Sequence, residues 1–375
     1  MAGIYIHIPF CKKKCHYCNF FSTPSTKRKD ELIKALHKEL CIQKHYTDET
    51  IGTVYFGGGT PSLLASDEIN SLTDVVSENY ILDKDAEITL EVNPDDISAQ
   101  KVRELKTTAV NRISIGVQSF FDQDLNYLNR IHTSAQAEYA VKALQDAGFA
   151  NMSIDLIYGI PSLGMEHWKK NLLQAIGMQV PHISAYALTI EPDTNMDVLI
   201  RQGKREDVSD EETVKQFRFV MNLLRENNYL HYEISNFCLP GYESKHNKAY
   251  WENIPYLGIG PSAHSYNKIS RQWNSSNLND YLFAIADNKI PCETETLTAD
   301  QRYNEYVMTS LRTNRGVSLQ KLKSLFGEVY PDRFQEAMKQ YEGKAMLAFS
   351  GDTVCLTDEG KLFADRIIAD FFAVD

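Results

Sequence analysis

Three cysteines fall within one short segment, Cys11-Lys12-Lys13-Lys14-Cys15-His16-Tyr17-Cys18, directly after the apolar run Ile4-Tyr5-Ile6-His7-Ile8. Three thiols cannot all pair with one another, and the C-x3-C-x2-C spacing suits one metal centre rather than a disulfide framework. Soft thiolates select zinc, copper(I) or an iron–sulfur cluster. Structural zinc takes four ligands, and His16 is the nearby candidate for the fourth. Lys12, Lys13 and Lys14 between the ligands either lower thiolate pKa and offset cluster charge or form a solvated loop face.

Further residues with chemical capacity follow at intervals. Gly57-Gly58-Gly59-Thr60-Pro61 allows close approach of backbone to a ligand, or simply makes a tight turn. Glu91 closes an apolar run and is placed to accept hydroxyls. Gln118 and Asp155 stand at or within apolar runs, where an unpaired polar group is costly. Arg130 could pair with a ligand carboxylate or sit on a helix surface.

The elements that position these residues repeat with regularity. Strand-like runs cover 4–8, 53–56, 87–92, 112–117, 153–157 and 183–188. Between them lie the amphipathic stretches 30–43, 67–79, 98–107, 135–147 and 167–178, with Ser66 as an expected N-cap and Gly148 as a helix stop. Successive β-α units imply parallel strands, as a partial (β/α)6 barrel or an open doubly wound sheet. Active sites of such folds gather at the carboxyl ends of the strands. The cysteines, the glycine run, Glu91, Gln118, Asp155 and Tyr186-Ala187 all fall at or near those ends, which favours the barrel.

Residues 236–298 break this rhythm and read as an irregular linking region. Within it lies His246-Asn247-Lys248-Ala249-Tyr250-Trp251, bracketed by Gly241 and Gly258 and expected on a mobile loop. A histidine beside two aromatics could ligate haem, though alone it reads more readily as a packed structural histidine. His264, in Ser262-Ala263-His264-Ser265, is its rival. From 299 to 375 the pattern is helical at 300–313, 318–326, 332–341 and 358–372, with a hairpin at 345–349 and 353–356 turning on Ser350-Gly351-Asp352. That combination suggests a smaller, mainly helical, winged-helix-like domain.

The 375 residues provide chain for two or three domains. A net charge of −11 gives no electrostatic support for a nucleic-acid partner and little for a membrane surface. No apolar run is long enough for a membrane span, and Met1-Ala2-Gly3 leads into the first strand without a signal-peptide pattern. Seven cysteines, three of them clustered, point to a reducing cytoplasm, with Cys41, Cys238, Cys292 and Cys355 as free thiols.

Taken in order, the motifs resemble the coproporphyrinogen-dehydrogenase-like branch of the radical S-adenosylmethionine (SAM) enzymes. Tyr5-Ile6-His7-Ile8-Pro9-Phe10-Cys11 looks like that branch's opening motif, and Tyr55-Phe56-Gly57-Gly58-Gly59-Thr60-Pro61-Ser62 like its glycine motif. Glu91-Val92-Asn93-Pro94, Ser114-Ile115-Gly116-Val117-Gln118-Ser119, Leu128-Asn129-Arg130 and Ile154-Asp155-Leu156-Ile157-Tyr158-Gly159-Ile160-Pro161 continue it. The resemblance runs along essentially the whole chain. It implies a radical SAM barrel over 1–235 in which Cys11, Cys15 and Cys18 hold three irons of a [4Fe-4S] cluster, with SAM on the fourth. By the same resemblance Tyr5, Gly58 and Glu91 would contact a first SAM. Tyr17, Gly59, Thr60, Gln118, Arg130, Asp155 and Ala187 would contact a second.

Two features separate the chain from the dehydrogenase itself: Phe20 stands where that enzyme has a further cysteine, and no longer segment precedes the first strand. Both, with the His246–Trp251 motif, match the haem chaperones of this branch. That resemblance implies His246 as the haem ligand, haem as cargo, and apo-haemoproteins, respiratory ones among them, as partners. Anaerobic decarboxylation of coproporphyrinogen III is the alternative activity. Whether SAM is cleaved in turnover, how many SAM bind and the oligomeric state, a homodimer included, are left open.

Overall fold

The computed structural model describes residues 1–373, so the last two residues of the expected C-terminal domain lie outside the described residues. Six strands, β1 (Ala2–Ile8), β2 (Ile51–Gly58), β3 (Leu82–Val92), β4 (Arg112–Gln118), β5 (Met152–Tyr158) and β6 (His182–Ala187), pair in sequence order and all in parallel. Helices lie between successive strands, so the expected β-α alternation is what forms.

Alternation along these strands decides what faces what. Ile4, Ile6 and Ile8 of β1, Val54 and Phe56 of β2, and Ile113, Ile115 and Val117 of β4 are fully buried in the apolar layer shared with the helices. The intervening positions turn the other way, as the two-residue period of a strand requires. On that side Tyr5 and His7, Tyr55, Glu91, Ser114 and Asp155 carry the polar atoms. The barrel therefore has an apolar exterior under helices and a polar interior.

Residues 236–298 are more ordered than expected. Strands β7 (Leu230–Glu233) and β8 (Asn236–Cys238) extend the sheet beyond β6, with β8 antiparallel to it. Strand β9 (Tyr256–Ile259) returns to lie parallel to β1, followed by antiparallel β10 (His264–Tyr266), β11 (Ser270–Asn274) and β12 (Cys292–Thr296). The result is a twelve-stranded sheet whose end strands, β12 and β7, do not pair. The motif 246–251 is not a loop either: it forms the helix Lys245–Trp251, capped by the Ser244 hydroxyl, which accepts from the Asn247 N–H at 3.3 Å.

Two smaller expectations are also corrected. The helix 66–79 is preceded by Ala65 rather than capped by Ser66, and the Glu68 carboxylate accepts from the Ala65 N–H at 2.7 Å. The final helix is interrupted, running as Asp358–Lys361 and Ala364–Asp370, because Phe363 leaves helical geometry at φ −121°. Gly148 does end its helix, at φ +88°.

A second core assembles from Tyr303, Val307, Leu322, Phe334, Val354, Ile367 and Phe371. It joins the C-terminal helices to a three-stranded sheet of β13 (Val317–Ser318), β14 (Leu347–Ser350) and β15 (Thr353–Leu356), the expected hairpin being β14–β15. No helix among the described residues is long and apolar enough to cross a membrane.

Candidate functional site

At the carboxyl rim of β1–β6 lies a cavity of about 440 Å³. Cys11, Cys15, Cys18, Tyr17, Gly58, Gly59, Thr60, Glu91, Gln118, Arg130, Asp155 and Ala187 all line it. Of the residues expected to contact the cluster, SAM or haem, Tyr5 and His246 lie elsewhere.

The cysteine loop is pinned by backbone bonds from distant segments. Cys11 N–H donates to Thr23 O at 3.0 Å, His16 N–H to Leu128 O at 3.2 Å, and Met196 N–H to His16 O at 2.8 Å. Lys12 is turned away from the thiols to pair with Asp95 at 2.9 Å and with Asp96, which leaves Lys13 and Lys14 at the cavity. His16, the candidate for the fourth ligand of a zinc site, does not line the cavity. Among the described residues no group of three His, Cys, Asp or Glu side chains is arranged to hold a metal ion. Three thiols distributed around one cavity fit a cluster, which takes one thiolate per iron, better than a lone ion, which needs its donors on one point.

Arg130 reinforces this wall. Its Nη1 donates to Cys15 Sγ at 3.4 Å, and its Nη2 donates to Asn93 Oδ1 at 2.7 Å and to Gly116 O at 2.8 Å. Asn93 in turn donates to Thr60 Oγ1 at 3.0 Å. Burial pushes the Cys11 and Cys18 thiols upward, with Arg130 opposing this at Cys11 and Lys14 at Cys18.

The glycines are required here. Gly58 has φ +112°, and a Cβ on it would meet the His7 ring at 2.5 Å. A Cβ on Gly59 would fall 2.6 Å from Phe10 O. Gln118 at the rim occupies the left-handed region at φ +66°, an unfavourable conformation for a residue with a Cβ.

Two carboxyl groups form the floor. Glu91 accepts from Tyr55 Oη–H at 2.8 Å and from Gly58 N–H at 3.1 Å; burial nevertheless pushes its pKa to about 7, helped by the charge of Asp155. Burial raises Asp155 to about 6 against the Ser184 hydroxyl and the guanidinium groups of Arg130 and Arg112. Groups held near neutrality in a polar cavity suit a ligand that brings its own positive charge and hydroxyls. Sequence reasoning missed Tyr55 and Asn93 as contributors, although Asn93 stands two residues after Glu91 and Tyr55 two before the glycine run.

Tyr5 faces a second cavity of about 360 Å³, with His7, Tyr250, Tyr256 and His264, and Asn19 and Phe20 border both cavities. His246 lines neither. It is 2 % exposed, with Nδ1 2.8 Å from Thr53 Oγ1 and Nε2 2.9 Å from Tyr250 Oη. Its N–H donates to Glu87 Oε1 at 3.1 Å, its ring stacks on Tyr55 at 4.9 Å, and burial lowers its pKa to about 3. Trp251 departs from Tyr250 and instead lies under the Arg312 guanidinium at 5.9 Å. Tyr250 and Trp251 thus point in different directions from the helix, since neighbouring helical residues lie about 100° apart.

Comparison with known proteins agrees with this architecture. The Radical SAM superfamily matches residues 5–174, and the HemN C-terminal domain matches 297–363. The chain is 32 % identical to the heme chaperone HemW of Bacillus subtilis over 99 % of both chains. It is 34 % identical to that of Lactococcus lactis, over 99 % of this chain and 97 % of the other. In structure it is similar to coproporphyrinogen III oxidase (HemN) from Escherichia coli, with a TM-score of 0.85, 23 % identity, and coverage of 99 % of this chain and 90 % of that one. At that identity the last likeness shows the fold alone. Its length, its two matched domains and its full-length relatives agree: the chain belongs to the HemW family of the radical SAM superfamily.

Proposed function

We propose that this protein is a cytoplasmic haem chaperone: it carries a [4Fe-4S] cluster and SAM, binds haem, and passes it to apo-haemoproteins. Full-length identity to relatives named heme chaperones is the observation that carries the reading. Cys11, Cys15 and Cys18 would hold the cluster, which when bound offers an open iron for the amino and carboxylate groups of SAM. The chain's own residues do the rest. Gly58, Gly59 and Thr60 present backbone to the aminocarboxylate, Glu91 accepts ribose hydroxyls and Asp155 adds negative charge opposite the sulfonium. Gln118, Arg130, Tyr17 and Ala187 close the remaining sides, where a second SAM would also contact them. Tyr5 supports Gly57 from below: a Cβ on Gly57 would meet its ring at 2.8 Å.

Anaerobically reconstituted protein loaded with haem and mixed with an apo-haemoprotein tests the reading. Transfer of the Soret band to the acceptor is expected, and no decarboxylation of coproporphyrinogen III when SAM and reductant are supplied. Phe20, 64 % exposed at the border of the two cavities, offers no thiol for such chemistry. Vigorous propionate loss without haem transfer would replace the chaperone by the decarboxylating enzyme.

A further inference from the structure

Tyr55 on β2 belongs to two neighbourhoods at once. Its ring stacks on the His246 imidazole, with 4.9 Å between centroids and 26° between planes. Its hydroxyl donates to Glu91 Oε1 at 2.8 Å. From Glu91 the contact continues to Gly58, whose N–H donates to the other carboxyl oxygen at 3.1 Å. From His246 it continues to Tyr250, whose hydroxyl lies 2.9 Å from Nε2. Tyr250, His246, Tyr55 and Glu91 thus form one continuous file of side chains from the helix Lys245–Trp251 to the glycine run.

The file has little slack. A Cβ on Gly57 would meet the Tyr5 ring at 2.8 Å, the Tyr55 ring at 2.9 Å and Glu91 Oε1 at 3.2 Å. A Cβ on Gly3 would fall 2.8 Å from Thr53 Oγ1 and 3.4 Å from the His246 ring. Groups packed this closely move from one arrangement to another rather than deform. Both nitrogens of the seated His246 are engaged, Nδ1 with Thr53 and Nε2 with Tyr250, so the ring gives up a partner before it serves any ligand. Drawing it off Thr53 also takes away the surface on which Tyr55 rests, and with it the fixed position of the hydroxyl on Glu91.

We propose, resting on the chaperone reading in which the helix Lys245–Trp251 takes the haem, that Tyr55 is a positioning residue through which haem and SAM oppose each other's binding. With His246 seated, Tyr55 is held against Glu91 and the SAM cavity is ready for its ligand. Haem draws His246 from its seat, Tyr55 loosens, and Glu91 is left without its side-chain donor. Linkage makes the effect reciprocal: SAM lowers the affinity for haem by the same factor. A carrier built this way holds its cargo best while the SAM cavity is empty and gives it up more readily once SAM is in place.

Two titrations of the anaerobically reconstituted full chain test this: SAM by calorimetry with and without saturating hemin, and hemin by the Soret band with and without SAM. Wild type, Tyr55→Phe and Thr53→Val are compared, with circular dichroism as the control for folding. In wild type each ligand is expected to weaken the other by about five-fold or more, and by equal factors. Tyr55→Phe should still bind haem, but its SAM affinity should sit near that of haem-loaded wild type and no longer respond to hemin. Thr53→Val removes one hold on the seated His246 and should bind haem about five-fold more tightly, the worth of one hydrogen bond. Opposition that persists in a folded Tyr55→Phe means that haem blocks the SAM cavity directly, and overturns the proposal. Haem affinity unchanged or lower in Thr53→Val overturns it as well. Wild type that binds haem with SAM affinity unaltered overturns the proposal and leaves the chaperone reading standing. Wild type that binds no haem overturns the chaperone reading itself.

Discussion

Arg130 places its guanidinium 3.4 Å from the Cys15 sulfur while holding Asn93 and the Gly116 carbonyl with its other nitrogen. One planar fork thus ties the cysteine loop to the ends of β3 and β4. Replacing Arg130 by Gln should lower apo-protein stability by about 1.5–3 kcal/mol, the usual range for charged hydrogen bonds, measured by urea unfolding. Lysine should not rescue, because a point charge cannot span the three acceptors. A denaturation midpoint unchanged in Arg130→Gln would show that the loop is held without it.

Membership of the radical SAM superfamily, with Cys11, Cys15 and Cys18 around one cavity, predicts about four irons and four sulfides per chain after anaerobic reconstitution. The triple Cys11, Cys15 and Cys18→Ala variant should retain neither. Iron and sulfide assays decide this, and a variant that keeps the wild-type visible spectrum would exclude the cysteine loop as the cluster site.

SAM binding should depend on pH through Glu91. Its pKa of about 7 lies above the ordinary value of 4.5, so the carboxyl is neutral on the acid side and ionised above. Only the ionised form attracts a sulfonium and accepts hydroxyls with full strength. Affinity should therefore rise with pH toward about 8, by up to ten-fold per unit below the pKa. Glu91→Gln should make the profile shallower and shift it toward the pKa of Asp155, about 6, and Glu91→Ala should weaken binding by about 1–3 kcal/mol. Calorimetry that finds the same slope in wild type and Glu91→Gln would remove Glu91 from the site.

His246→Ala should destabilise the chain by about 2–4 kcal/mol, since it removes buried ring volume and leaves Thr53 and Tyr250 short of a partner. The wild-type side chain also contributes a pH term. Its folded pKa of about 3 is below 6.5, so the neutral ring is favoured by folding. That stability is complete above about 6.5 and is lost as pH falls toward 3. The stability gap between wild type and variant should narrow over the same acid range in chemical denaturation.

Much of this was legible in the chain. The β1–β6 order and the convergence on one rim followed from glycines, thiols and carboxyl groups placed at the ends of apolar runs. What escaped was set by distant pairing. Nothing local in Tyr256–Ile259 shows that it will lie beside β1, because its partner is far away in sequence and the register is fixed only in the folded sheet. His246 escaped for the same reason: its polar surroundings place it on a loop until Thr53 and Glu87 are seen to receive it. Tyr5 borders the second cavity while its ring and the Glu91 carboxyl both crowd Gly57, a placement that depends on how β1, β2 and β3 stack and is not written in any one motif.

The fastening of the cysteine loop has a bearing on biosynthesis. Its anchors come in turn from Thr23, Leu128 and Met196, and the flank of β1 opposite β2 is closed by β9. A ribosome therefore releases the thiols long before it releases the residues that shape their cradle. Until Met196 has emerged, the three cysteines are a tether without a pocket, open to stray metals and oxidants. A cluster bound there would meet a correctly formed receiver only late in synthesis, so the order of maturation is written into the topology.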